Sequence, residues 1–159
     1  MTPAQHARGG APVGVLDRLD EWEASLVRRL RLWCEGPRGQ EQILHEYLQA
    51  LPAETAQTAY KAFDSLLRVI ISNARRPLVR HDVECSCLGA DESAFLHLVG
   101  FAADRHHSNA ALMAALIAGP GNAEKIALLA HQVGVSAREV RSSLPDYASG
   151  TEQNVVRLH

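Results

Sequence analysis

Lysine is nearly missing from this chain of 159 residues: only Lys61 and Lys125 stand among 16 basic residues, and the others are arginines. That skew reads as coding bias of a GC-rich genome, not as chemistry. Cysteine is scarce, with three residues, and Cys34 lies far from the Cys85/Cys87 pair. An odd, widely spaced set excludes a secreted disulfide framework and fits a reducing cytoplasm. No apolar run approaches the roughly 20 residues of a membrane span. The N-terminal MTPAQHARGGAPVG lacks the apolar core of a signal peptide. A net charge of −2 excludes a globally basic nucleic-acid coat but leaves room for a small DNA-reading surface. Catalytic signatures are missing too: there is no Walker loop, no GxGxxG, no GxSxG elbow and no HExxH. Asp91 and Glu92 are paired carboxylates, yet adjacent residues on a helix do not converge on one substrate. Enzymatic activity is therefore the least supported class.

What the chain does have is helical rhythm. Hydrophobic residues make up 47% and charged residues 21%, a globular balance. Leu19, Trp22, Leu26, Leu30 and Trp33 form one apolar stripe and predict a helix over 17–34, closed by Gly36-Pro37. Ile43, Leu44, Tyr47, Leu48 and Leu51 predict a second over 39–50. Pro52 then opens a long third over 53–75, with Ala59, Phe63, Leu66, Leu67 and Ile70 in phase and Pro77 as its stop. Residues 77–90 break the pattern. Asp91 is placed to cap a helix to Ala103, and a further helix spans 107–118 before Gly119-Pro120-Gly121. Asn122 caps 123–132, and Ser136 with Glu139 makes a capping box for 137–144, ended by Pro145. The expectation is an all-α single bundle of about seven helices over 15–145. Its long helices fill 15–76, its His/Cys loop 77–90 and its short helices 91–145. Flexible tails flank it at 1–14 and 146–159. Arg28, Arg29 and Arg31 read as a solvated face of the first helix, with an acidic partner as the alternative. Cys34 reads as a buried, inert thiol.

Residues 126–144, IALLAHQVGVSAREVRSSL, resemble the helix-turn-helix of bacterial repressors. Ala130 matches the small residue at the helix crossing, Gly134 the turn glycine, and Val135 and Val140 the plugs between the helices. The resemblance covers about 20 residues and implies DNA contacts from Ser136, Ala137, Arg138 and Arg141. Arginine suits guanine edges because its fork donates two parallel hydrogen bonds. A dimer would double the modest positive charge. The same spacing also serves plain helix-corner packing without DNA.

His81, Cys85 and Cys87 form H-x3-C-x-C in the irregular segment, and His106 and His107 start a later helix. Zinc takes four tetrahedral N and S ligands, so the three loop residues with His106 or His107 make a candidate metal set. Cys-x-Cys also forms a strained, reducible disulfide suited to redox work, or is simply two small residues. Two functions follow. One is a small bacterial regulatory protein that binds DNA through 123–144. The other is a non-enzymatic helical adaptor that binds protein, or itself as a homodimer, and carries a structural zinc or thiol redox site at 81–107.

Overall fold

Asp20 opens α1 (Glu21–Cys34): its amide donates to Glu23 Oε2 at 3.1 Å, satisfying an N–H that the helix itself cannot. The chain then turns at Gly36, whose φ of +104° is comfortable only without a Cβ. Pro37 follows at the first position of α2 (Pro37–Ala50), where no donor is needed. Pro52 precedes α3 (Ala53–Asn73), the long helix that the apolar rhythm predicts. Next come α4 (Ala90–Ala103), α5 (His107–Ala118) and α6 (Ala123–Ser143). The computed structural model describes residues 9–143, with side chains as far as Val140. The stop expected at Pro145 and the tail expected over 146–159 lie outside the described residues.

The all-α class holds, with six helices among the described residues where about seven were expected. The difference lies in 123–144. The two helices and turn expected there are one uninterrupted helix, α6. Its buried positions Ile126, Ala130, Val133, Ala137 and Val140 keep a three- and four-residue spacing straight through Gly134. Gly134 serves close packing and makes no turn. A Cβ there would lie 2.6 Å from Ala103 Cβ and 3.0 Å from the Val99 carbonyl. Glycine thus lets α6 lie hard against α4. Ser136 caps nothing, because its hydroxyl donates back to the Gln132 carbonyl within the helix.

α6 is the axis of the bundle and packs against each of the other five helices. Alanines dominate its contacts: Ala110, Ala114 and Ala118 on α5 and Ala123, Ala127, Ala130 and Ala137 on α6 are all buried. Small side chains bring backbones close, so a chain with few aromatics still fills its interior. The bulkier core sits between α1, α2 and α3, around Leu26, Ile43, Tyr47, Phe63, Leu66 and Ile70.

One feature of the fold was not expected from the sequence. Pro12–Val15, which apart from Val15 falls in the tail expected over 1–14, is a strand (β1) that pairs antiparallel with Cys87–Gly89 (β2). Leu16 N–H donates to the Ser86 carbonyl and Ala90 N–H to the Ala11 carbonyl, which extends the strap at both ends. The N-terminal segment therefore lies over the His/Cys loop.

Replacing Gly134 by Ala improves local helix propensity but forces α4 and α6 apart. It is expected to destabilise by about 1–3 kcal/mol, as overpacking does. Ala103→Gly in the same chain should recover part of the loss. Urea unfolding of the single and double variants checks both; a neutral Gly134→Ala would show that close packing is not the glycine's role.

Candidate functional site: a thiol loop wrapped around a buried arginine

The charge run on α1 is not a solvated face. Arg28 is exposed, but Arg29 is buried and Arg31 is fully buried. Arg29 lies over the Tyr47 ring, 5.0 Å from its centroid, and pairs with Glu46 at 3.3 Å. Arg31 enters the core because it follows Val27 by four residues and so shares its inward phase. A guanidinium cannot shed its charge, so burial requires that its five N–H groups all find acceptors. They do. Nε and Nη2 donate to the two carboxylate oxygens of Glu92 at 2.7 and 2.9 Å. Nη1 donates to the carbonyls of Asp82 (3.0 Å) and Cys85 (2.6 Å), and Nη2 to that of Cys87 (2.6 Å).

Glu92 is equally engaged. Oε1 also accepts from the His81 amide at 3.0 Å and Oε2 from the Gly89 amide at 2.9 Å. Burial pushes its carboxyl up, but the Arg31 hydrogen bonds and the two amides outweigh that and hold it below the usual carboxylate range. The helix expected to be capped by Asp91 is instead capped at Gly89, with Glu92 reaching back to the Gly89 amide. Asp91 has another task. It binds Arg76 through both oxygens, at 2.9 and 2.7 Å, and accepts from the Val79 amide at 2.7 Å.

These contacts fix where the sequence-predicted ligands stand. His81 Nε2 is 2.9 Å from the Gly10 carbonyl. A carbonyl only accepts, so Nε2 carries the proton and Nδ1 of the neutral ring presents its lone pair. That Nδ1 faces Cys85 Sγ at 3.8 Å. Cys87 lies beside Cys85, and both thiols are free and half-buried. Cys87 is pushed up by its hydrogen bond to Cys85 and by the repulsion a Cys85 thiolate would exert; burial adds to this and Arg31 opposes it. Of the two thiols, Cys85 is the one that faces the His81 nitrogen. Cys34 stands elsewhere, half-buried, and burial pushes its thiol up, against the pull of Arg80.

The other half of the expected zinc set is not with them. His81 is tied to the start of α4 through Glu92, whereas His106 and His107 are exposed beyond its end. Fourteen residues of α4 separate the two groups, roughly 20 Å at about 1.5 Å per residue. Among the described residues no group of three or more His, Cys, Asp or Glu is placed to hold a metal ion. The structure joins His81, Cys85 and Cys87 and leaves His106 and His107 out.

The residues expected to read DNA are likewise dispersed. Ala137 is buried in the core. Arg138 lies over the Trp22 ring at 4.8 Å and bonds Asp104 at 2.9 Å, which ties the end of α6 to α1 and to the α4–α5 corner. Ser136 is bonded within its own helix. The Arg141 side chain lies outside the described residues.

Arg31→Met should cost about 3–5 kcal/mol, because it strands the Glu92 charge in the interior. Glu92 also makes stability depend on pH. Its folded value lies below the unfolded one of about 4.3. Its stabilisation is therefore complete above the unfolded value and is lost as pH falls through the folded one. Glu92→Gln should flatten that acid limb while lowering stability at neutral pH, and urea titrations across the acid range test it. Arg138→Ala should lower stability by about 1 kcal/mol, from the ring contact and the exposed bridge together.

No family model, curated protein or solved structure matches this chain.

Proposed function

We propose that the chain is a non-enzymatic helical regulatory adaptor whose His81–Cys85–Cys87 loop is a thiol redox switch. The observation that carries this reading is the 3.8 Å contact of Cys85 Sγ with His81 Nδ1, in a ring whose other nitrogen is committed to the Gly10 carbonyl. An imidazole held in that tautomer can take the Cys85 proton, and the thiolate is the reactive form of cysteine.

With a peroxide as oxidant, the chemistry balances within the loop. Cys85 thiolate attacks one peroxide oxygen and breaks the O–O bond, giving a Cys85 sulfenic acid. The leaving hydroxide takes the proton from His81 and departs as water. Cys87 sulfur then attacks the sulfenic sulfur, forming the Cys85–Cys87 bond and releasing a second water. The two thiols lose two electrons and the peroxide gains them. A dithiol reductant reverses the change by exchange.

The adaptor half of the reading comes from what the loop is fastened to. The carbonyls of Cys85 and Cys87 accept from Arg31, so a bond between the two sulfurs alters the backbone that completes the Arg31 shell. Each such hydrogen bond to a charged group is worth about 1.5–3 kcal/mol. Oxidation is thereby coupled to the packing of α1 on α4, the kind of local change that biases a whole domain.

Brief treatment with hydrogen peroxide, followed by peptide mapping without reductant, tests the switch. The expected product is a Cys85–Cys87 disulfide with Cys34 still reduced, and a lower unfolding midpoint than the reduced protein. His81→Asn should slow the reaction roughly tenfold, less than the 10²–10⁴ of an aligned base because the contact is long. Oxidation of Cys34 first, or no loop disulfide at all, would sink the proposal.

A further inference from the structure

Beside the 74–80 segment, a cavity of about 500 Å³ opens between α1, α3 and α4. That is within the roughly 300–1,000 Å³ of small-molecule sites. Its inner wall is aliphatic and aromatic, from Leu30, Leu67, Ile70 and Phe95. Its rim is apolar too: Ile71 and Leu78 are 49% and 39% exposed. Cys34 lies in the wall, and three arginines line the opening.

The charges of the lining do not cancel. Arg76 is held by Asp91 and Arg80 by Glu35, while Glu92 belongs to Arg31. Arg75 is exposed and has no ion-pair partner among the described residues. An aliphatic chamber with one cation at its mouth that is unpaired among the described residues complements an aliphatic body with one negative head. We propose that this cavity binds a free monoanionic amphiphile of the medium-chain carboxylate class. The alkyl chain would lie against Leu67, Ile70 and Phe95 and the carboxylate would meet the Arg75 guanidinium. The inference is independent of the thiol reading, since it uses neither Cys85 nor Cys87.

Isothermal titration of the full chain with sodium decanoate tests it, with decanol and decyltrimethylammonium as uncharged and cationic controls. Saturable binding of one decanoate per chain is expected, at least about tenfold tighter than decanol, the worth of one charge-assisted hydrogen bond. Arg75→Ala, a surface change, should abolish that preference and leave decanol binding in place. Decanoate should also slow maleimide labelling of Cys34 but not of Cys85, which locates the ligand. Equal affinity for decanoate and decanol, indifference to Arg75→Ala, unprotected Cys34 or no saturable binding would each overturn the proposal. So would binding that appears only after residues 2–8 are deleted. Gly9 packs against Arg76 and Asp91 at this rim, and that result would make the preceding segment the occupant.

Discussion

Arg31 imposes the constraint on which one whole side of the protein depends. Its charge is permanent and its side chain is fully buried, so every N–H must be matched inside the fold. Two acceptors come from Glu92 and three from the carbonyls of a segment that has almost no secondary structure. The 82–87 backbone is therefore held by the donor fork of an arginine as well as by its own turn, in which the Cys85 amide donates to the Asp82 carbonyl, and by its pairing with the N-terminal strand. A buried ion pair of this kind adds little net stability over a well-packed apolar pair. Its effect is positional: it holds the loop in the conformation that places Cys85 against His81.

The first turn of α4 distributes that constraint. Asp91 and Glu92 are neighbours, yet they serve different partners. Asp91 fastens Arg76 and the Val79 amide, and Glu92 fastens Arg31 and the amides of His81 and Gly89. Carboxylates suit that place because the N-terminus of a helix is the positive end of its dipole. One helical turn thus secures the segment from 76 to 89, with the apolar cavity along its first part and the thiols along its second. The N-terminal segment closes over the second part, as a strand at Pro12–Val15, and just before it supplies the Gly10 carbonyl that orients His81.

Elsewhere the bundle rests on smallness. α5 and α6 carry buried alanines, and Gly134 lets α6 approach α4 so closely that an added methyl group there would meet Ala103 and Val99. The same residues account for the resemblance of 126–144 to a helix-turn-helix, since both arrangements need a small residue at a helix crossing. Phase tells them apart. Positions 126, 130, 133, 137 and 140 stay on one face across Gly134, whereas a turn there would reset the face.

The sequence by itself determined the helices. Backbone hydrogen bonds within a helix are local, so apolar spacing and Pro or Gly punctuation sufficed for α1 to α5 within a few residues. It also marked 77–90 as the irregular segment and His81, Cys85 and Cys87 as its chemistry. Arg31 and Glu92 left a fainter trace, each a charged residue on the inward phase of its helix, four residues after Val27 and three before Phe95. Only the tertiary structure decided that these two, 61 residues apart, meet as a pair. It alone placed Pro12–Val15 over the loop, kept His106 and His107 away from the thiols, and turned Arg138 onto Trp22. Such contacts depend on which faces the helices bring together, and that is set by the packing of all six at once, not by the spacing within any one.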